Sequence, residues 1–243
     1  MKAELIDSMG SDLSIVNAAR VSMDKESEWE LEYSNNPYTD FEPTVKLKAA
    51  DVKLIKYLAK HNHFTPFTHC TITLRETVPI FIARQRFKHT VGFSYNEVSR
   101  RYVDDTPEFY TPSVWRKRAE NVKQGSSNEE VTTLKYKMDV TSAATYTKIS
   151  DEYELFLENC KQVYNLMISN GVAPEQARMV LPQSMFTSYY VTGSLYAFAH
   201  AYLLRSDPHA QVEIQELAKQ WDFLIRPLYP ESWKALVNTT SSL

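Results

Sequence analysis

The chain has 243 residues, a net charge of −3 and a hydrophobic content of 43%, values typical of a globular protein with a sizeable core. This slight negative charge gives no general attraction to nucleic acid, and no apolar run approaches the roughly 20 residues of a membrane span, so we expect a cytoplasmic protein that binds neither. The two cysteines, Cys70 and Cys160, form neither a disulfide framework nor a metal-binding spacing.

The five glycines lie far apart in the sequence. No GxGxxG or GxxxxGK[ST] motif can be written through them, so we expect neither a Rossmann fold nor a P-loop. Any nucleotide site must therefore use groups other than a glycine-rich loop.

The N-terminal segment predicts a short strand followed by a short helix. Residues 3–6 predict the strand, and Ser11 or Asp12 is the expected cap of a helix that ends at Arg20. Residues 24–43 are acidic, aromatic and aperiodic, and predict a surface loop.

The next part of the chain predicts two helices around a strand. Helical spacing of apolar residues predicts a helix over 44–59, and alternation of apolar and polar residues predicts a strand over 70–75. Pro79 indicates the start of a helix with the sequence IFIARQRFKH. Residues 116–135 are polar and predict a mobile surface excursion.

The C-terminal part predicts three helices and a strand. One apolar face predicts a helix over 139–169 that ends at Asn170-Gly171. Residues 185–192 predict a strand, and residues 194–205 predict a helix. Asp207, with Pro208 after it, indicates the cap of a last helix.

This order of elements has no βαβ rhythm and no internal repeat. It predicts an α+β fold formed by a single mixed domain over residues 1–243, with a central sheet flanked by helices. The segments near 24–43 and 116–135 are expected to be excursions from that domain.

Three histidines, His61, His63 and His69, lie close together in the sequence. Zinc sites use histidine, but this spacing, interrupted by Pro66, matches no zinc signature. A polar helix end followed by a loop is the alternative explanation, and we predict no metal ligand.

A basic segment with the sequence RQRFKHTVGFSYNEVSRRY runs from Arg84 to Tyr102. Its five fixed positive charges are those of Arg84, Arg86, Lys88, Arg100 and Arg101. Arginine binds phosphate through paired hydrogen bonds, and the amide and carboxylate groups between these cations can recognise a base edge. The segment predicts a site for a phosphate-bearing ligand, with a solvated basic patch as the alternative.

A further polar cluster, LRSDPHAQVEIQ, occupies residues 204–215. Arg205 lies at the corner between two predicted helices, and His209, Gln211 and Glu213 follow within two turns. A capped helix with a polar face explains this pattern without any function.

Five motifs, taken in chain order, resemble the flavin-dependent thymidylate synthases. They are HxHxTPFxH from His61, ARQ from Ala83, SYNExSxRY from Ser94, ARxVLP from Ala177 and LRxDxHAQxEIQ from Leu204. Each motif alone is weakly specific, but the five together occur in the family's order and span residues 61–215.

The resemblance implies a reaction and a set of co-substrates. In this family NADPH reduces FAD, a methylene group passes from methylenetetrahydrofolate to C5 of dUMP, and hydride from the flavin completes the methyl group. It also implies the thymidylate synthase-complementing fold, a homotetramer with shared active sites, and a mechanism without a cysteine nucleophile. Cys70 and Cys160 both lie in apolar patterns and are therefore predicted to be buried packing residues.

The resemblance also implies the site residues. Arg205 is the catalytic residue, because its guanidinium would stabilise the negative charge that develops when C5 becomes nucleophilic. The residues implied around dUMP are Gln85, Arg86, Phe87, Lys88, Glu97, Val98, Ser99, Arg100, Arg101, Arg178 and Arg205. The residues implied around FAD are Thr65, Lys88, His89, Thr90, Glu97, Ser194, Leu195, Tyr196 and His200.

The family's Arg-His-Arg motif, seven residues before a serine, allows two registers in this chain. Arg84-Gln85-Arg86 fits with Ser94, whereas alignment on the SYNExS motif puts Lys88-His89-Thr90 in that place, eight residues before Ser99. We adopt the second register because it keeps Ser99 as the motif serine. Two arginines are then replaced, and we predict that Arg84, one helical turn before Lys88, compensates in binding FAD, with much less from Arg86.

Two other functions remain open from the residues alone. One is a non-catalytic nucleotide or nucleic-acid binder that uses the basic segment, which the net charge and the lack of an RNA-binding motif disfavour. The other is a histidine-rich metal hydrolase. A bound flavin would exclude both.

Overall fold

The computed structural model describes residues 1–32, 44–120, 125–136 and 143–238. Its strands are β1 (Lys2–Met9), β2 (Glu30–Glu32), β3 (Thr44–Lys46), β4 (Thr71–Pro79), β5 (Phe93–Glu97), β6 (Arg116–Arg118), β7 (Ser126–Glu130), β8 (Thr133–Tyr136), β9 (Thr145–Lys148) and β10 (Phe186–Ser194). Its α-helices are α1 (Asp12–Arg20), α2 (Ala49–Lys60), α3 (Ile80–Arg86), α4 (Ile149–Ser169), α5 (Pro174–Ala177), α6 (Leu195–Arg205), α7 (Val212–Ile225) and α8 (Pro230–Val237).

A four-stranded antiparallel sheet in the order β1-β4-β10-β5 forms the centre of the fold. Ile72, Leu74, Glu76 and Val78 of β4 are completely buried, while the residues that alternate with them are more exposed, because successive side chains of a strand point to opposite faces. One face of the sheet therefore forms the core, and the α+β prediction of a central sheet flanked by helices is confirmed.

The helices that complete the core come from both ends of the chain. One hydrophobic cluster joins the sheet to α1, α2, α6, α7 and α8, and its largest fully buried side chains include Trp221 and Trp233. Helix α6 begins directly after β10, capped by Ser194, whose hydroxyl accepts from the N–H of Ala197 at 3.2 Å. This junction fixes the start of α6 against the sheet.

Several predicted elements are confirmed with small changes in their ends. Ser11 caps α1, which ends at Arg20, and Asn170 with the left-handed Gly171 ends α4. Strands β1, β4 and β10 occupy the predicted places but are longer than predicted. Pro79 is the N-cap of α3, which is shorter than predicted because it ends at Arg86.

Three element predictions are wrong. The helix predicted from residue 139 begins at Ile149, because Thr145–Lys148 pair with β8 as strand β9; residues 139–142 lie outside the described residues. The helix predicted from residue 44 begins at Ala49, because Thr44–Lys46 pair with β2. The last long helix begins at Val212 and not after Asp207. The carboxylate of Asp207 instead accepts from the N–H of His209 at 2.7 Å within a turn.

The two predicted excursions contain regular structure where they are described. The loop predicted at 24–43 includes β2, and its residues 33–43 lie outside the description. The excursion predicted at 116–135 forms β6, β7 and part of β8, with residues 121–124 not described. Strands β6 and β7 pair with each other and not with the central sheet.

Candidate active site

Arg205, the last residue of α6, holds its guanidinium between two acceptors. Its Nε donates to Nε2 of His89 at 2.9 Å, and its Nη2 donates to the main-chain oxygen of Gln85 at 3.2 Å. Because Nε2 of His89 accepts, the imidazole is neutral and protonated on Nδ1. Burial, together with the positive charges of Arg205 and Arg86 and the nearby His200, lowers the pKa of His89 to about 4, in agreement with that neutral state.

Arg205 and Gln85 line a cavity of about 1160 Å³, which we call the first cavity. Four aromatic side chains, those of Phe81, Tyr110, Trp115 and Tyr153, also line it. A large, partly aromatic cavity with a few convergent polar groups is the usual form of a small-molecule site. The excursion around β6 contributes to the lining, so it forms part of the site and is not a separate appendage.

Three further polar residues of the first cavity join Gln85 in a hydrogen-bond relay. Nη2 of Arg116 donates to Oε1 of Glu213 at 2.5 Å, and Nε2 of Gln211 donates to Oε2 of Glu213 at 2.8 Å. Oε1 of Gln211 accepts from Nε2 of Gln85 at 2.6 Å. Burial alone would raise the pKa of Glu213, but the hydrogen bonds from Arg116, the backbone and Gln211 outweigh it and lower the pKa, so this carboxylate is ionised.

Local sequence patterns assigned no individual role to Gln211, Glu213 or Arg116. The first two stand in the motif LRxDxHAQxEIQ, but no role was attached to them there, and a capped helix explains their place in a polar helix start equally well. The partner on β6 is about one hundred residues away in the chain, and no local pattern identifies it.

A second cavity, of about 480 Å³, collects most of the remaining residues expected around dUMP. Its lining includes Glu97, Val98, Ser99, Arg100, Arg101 and Arg178. Arg100 is paired with Asp105 at 2.6 Å, whereas within the described part of the chain no carboxylate pairs with Arg101 or Arg178. These two exposed guanidinium groups are available for an anion such as phosphate.

The residues predicted around dUMP are thus divided between two places in one chain. The first cavity contains Gln85 and Arg205, the second contains Glu97–Arg101 and Arg178, and the two linings have no residue in common. No single cavity among these two contains the full set.

The side chain of Arg86, one of the residues predicted around dUMP, is enclosed in the core. Arg86 is 0% exposed and its Nε donates to both carboxylate oxygens of the equally buried Glu76 at 3.3 Å. Four aromatic rings surround the guanidinium, with the centroid of Phe93 the nearest at 4.3 Å. The charge of Arg86 therefore belongs to the core.

Its neighbour Phe87 is also a packing residue. The ring of Phe87 is half-buried and lies 5.0 Å from that of Tyr95 and 4.8 Å from that of Tyr189. The OH of Tyr95 accepts from Nη1 of Arg86 at 2.7 Å and donates to the main-chain oxygen of His89 at 2.7 Å. Arg86 and Tyr95 thus fix the segment that places His89 beside Arg205, while Lys88 stays exposed.

Most residues predicted around FAD lie close to the start of α6. Gly92 has φ +76° and packs tightly against α6: a Cβ at this position would lie only 2.9 Å from Cβ of Ala197. This close contact brings residues 88–92 beside Ser194. The rings of Phe64 and Tyr196, 5.2 Å apart, bring the turn of Thr65 to the same place. His200 is close enough to His89 to contribute to its lowered pKa.

Two members of the predicted FAD set lie elsewhere. The side chain of Leu195 is 0% exposed and its N–H donates to the main-chain oxygen of Cys70 at 2.9 Å, so neither group can bind a ligand. Glu97 is at the far end of β5 from Phe93, in the second cavity, where its carboxylate accepts from the hydroxyl of Thr187 at 2.6 Å.

The histidine segment and the cysteines have separate surroundings. His61, His63 and His69 are exposed, and the described residues contain no group of three or more His, Cys, Asp or Glu that could hold a metal ion. Cys70 is completely buried, as predicted, and burial raises its pKa to about 11, whereas Cys160 is only partly buried. Over the same residues, no helix is long and apolar enough to cross a bilayer.

The structure thus combines an aromatic cavity that holds an Arg-Gln pair, a second cavity lined by three arginines, and a central antiparallel sheet in an α+β fold. The chain belongs to the family described as "Thymidylate synthase complementing protein", whose model matches residues 4–231.

Named relatives extend this assignment. A flavin-dependent thymidylate synthase of Thermosipho africanus is 35% identical over 233 residues, covering 96% of this chain and 89% of the relative. The enzyme of the same name from Thermus thermophilus is 34% identical over 231 residues, covering 95% and 73%. The solved structure of the UMP/dUMP methylase PolB from Streptomyces cacaoi bound with 5-Br dUMP has a TM-score of 0.73 and 28% identity, covering 96% of this chain and 93% of PolB.

Proposed function

We propose that this chain methylates dUMP to dTMP, with FAD as the redox cofactor and with methylenetetrahydrofolate and NADPH as co-substrates. The names of its relatives support the methylation of dUMP. The observation that carries the proposal is the Arg205–Gln85 pair, which two of the five family motifs supply and which the fold brings into one large cavity.

Arg205 can perform the electrostatic part of this reaction. Methylation at C5 needs a uracil ring that is rich in electrons, and a guanidinium beside a ring carbonyl stabilises the negative charge that develops there. His89 accepts from Nε and adds no positive charge because it is neutral, so the full charge of Arg205 remains available to the ring. The hydrogen bonds to His89 and Gln85 also hold the guanidinium in place before substrate binds.

FAD fits the chemistry of the residues around the start of α6. The side chains of Lys88, Thr90 and His200 are exposed and have no hydrogen-bond partner among the residues described, so they can bind phosphate, ribose and ring atoms. Bound FAD would supply the hydride that completes the methyl group. Ser194 and Tyr196 would lie on the α6 side of the same cofactor.

The phosphate of dUMP would bind Arg101, Arg178 and the hydroxyl of Ser99, which accepts from Nε of Arg101 at 3.3 Å. Because these groups and the Arg205–Gln85 pair lie in different cavities of one chain, we propose that a second copy supplies one of the two halves, as in a homotetramer with shared active sites. Helix α4 supports such an assembly, since Leu155, Phe156, Val163 and Leu166 on it are 45–63% exposed.

The proposal is tested by purification, absorbance spectroscopy and an activity assay. The purified protein should be yellow, release FAD on denaturation, and form dTMP from dUMP only when both methylenetetrahydrofolate and NADPH are present. Light scattering during size-exclusion chromatography should give the mass of four chains. A colourless protein that does not take up FAD and forms no dTMP would refute the proposal.

A further inference from the structure

The relay from Arg116 to Gln85 fixes the direction of two side-chain amides. An ionised carboxylate can only accept hydrogen bonds, so Gln211 must turn its NH₂ group toward Glu213 and its oxygen toward Gln85. Gln85 must then donate with Nε2, which leaves its Oε1 as the free atom. No described residue donates to this oxygen, and Gln85 lines the first cavity.

The fixed amide of Gln85 presents its Oε1 as an acceptor, and the guanidinium of Arg205 presents N–H donors beside it. The main-chain oxygen of Gln85 accepts from Nη2 of Arg205, so the guanidinium lies beside the point where the side chain of Gln85 leaves the main chain. Uracil has an N3–H donor between two carbonyl acceptors, which complements an acceptor beside donors. Cytosine has an acceptor at N3 and an amino donor at C4, which opposes both groups.

We propose that Glu213 and Gln211, acting through Gln85, make this site specific for uracil over cytosine. The inference rests on the proposed methylation of dUMP and adds two positioning residues to it. A site that holds a buried polar group in one orientation rejects the mismatched ligand strongly, because the mismatch leaves that group without a partner. Glu213 is the origin of the orientation, since it is the only group in the relay that cannot donate.

Glu213→Gln gives a sharp test because it reverses the relay. Arg116 can only donate, so it would take the oxygen of the new amide and leave the NH₂ group facing Gln211. Gln211 and Gln85 would both turn over, and Gln85 would present its NH₂ group to the base. The matched control is Lys117→Gln, which removes the neighbouring exposed ion pair of β6 with Glu129 and leaves the relay and the lining of the first cavity unchanged.

The measurement is isothermal titration calorimetry of the FAD-loaded protein with dUMP and, separately, with dCMP at pH 8. We expect the wild type and Lys117→Gln to prefer dUMP. In Glu213→Gln the ratio of the two affinities should move toward dCMP by at least about tenfold, which corresponds to about 1.4 kcal/mol. A general loss of structure would lower the affinity for both nucleotides and would leave the ratio of the two affinities unchanged.

If Glu213→Gln does not fold, Gln211→Met decides, because it cuts the relay and should move the ratio toward one. An unchanged ratio in the folded variant, or a wild type that does not distinguish dUMP from dCMP, would overturn the inference while leaving the methylation proposal intact if dTMP is formed. A wild type that binds neither nucleotide and forms no dTMP would refute the proposed function itself.

Discussion

Replacement of Arg86 by methionine tests whether its guanidinium belongs to the core or to the ligand site. Methionine has a similar length and can occupy the space among the aromatic rings, but it has no charge. The variant therefore leaves the carboxylate of Glu76 buried without its cation. Glu76 keeps two neutral donors, the OH of Tyr189 at 2.6 Å and Nε1 of Trp221 at 2.9 Å.

Removing one partner of a buried ion pair costs about 3–5 kcal/mol in the free energy of unfolding. We expect the lower end, about 3 kcal/mol, because Tyr189 and Trp221 still stabilise the carboxylate. Replacing both partners, as Glu76→Gln with Arg86→Met, removes the buried charge and should recover the loss to within about 1 kcal/mol of the wild type.

Urea denaturation followed by tryptophan fluorescence measures these differences at one fixed protein concentration, since subunit association contributes to stability. The assay should be accompanied by a flavin titration of each folded variant. If the free energy of unfolding of Arg86→Met lies within about 1 kcal/mol of the wild-type value but the variant no longer binds nucleotide or flavin, Arg86 is a ligand contact and the assignment to the core is wrong. Because we expect the loss of Arg86 to damage the fold, a lower flavin affinity of a destabilised variant does not decide between the two motif registers.

Four other outcomes follow from the site. Arg84→Ala should lower FAD affinity by about 1.5–3 kcal/mol in a flavin titration if this exposed residue makes a charged hydrogen bond; unchanged affinity would remove it from the cofactor site. Arg205→Ala should lower the rate of dTMP formation by about 10²–10³ while FAD stays bound, and equal loss of both would make Arg205 structural. The pKa of His89 is lowered from 6.5 to about 4, so as the pH falls through that range His89 gains its proton in the unfolded chain before it does so in the folded protein. The free energy of unfolding of the wild type should therefore fall relative to that of His89→Gln by at most about 1.4 kcal/mol per pH unit. Parallel profiles of unfolding free energy against pH for the two proteins would contradict this. Cys70→Ser and Cys160→Ser should each keep most of the turnover, and a folded variant without activity would point to a cysteine nucleophile.

Much of the fold could be predicted because its signals are local. Ser11 caps α1 with its own side chain, Asn170-Gly171 ends α4, and the alternation of β4 reflects one buried and one exposed face. The errors arose where a distant segment decides the structure. Thr145–Lys148 continue the polar and apolar pattern of the helix after them, but they form a strand because Thr133–Tyr136 pair with them.

The sequence by itself determined the family and the types of group that the site contains, since five motifs in order and a set of arginines and amides are properties of the chain. Only the tertiary structure decided which of those groups are free to act. Arg86 and Arg101 have the same charge, but Glu76 and four aromatic rings enclose the first while the second has no carboxylate partner within the described residues. The direction of the Gln85 amide likewise depends on Glu213, more than one hundred residues away. Charge and hydrogen-bonding capacity belong to a residue, whereas burial, pairing and orientation depend on neighbours that folding brings from remote parts of the chain.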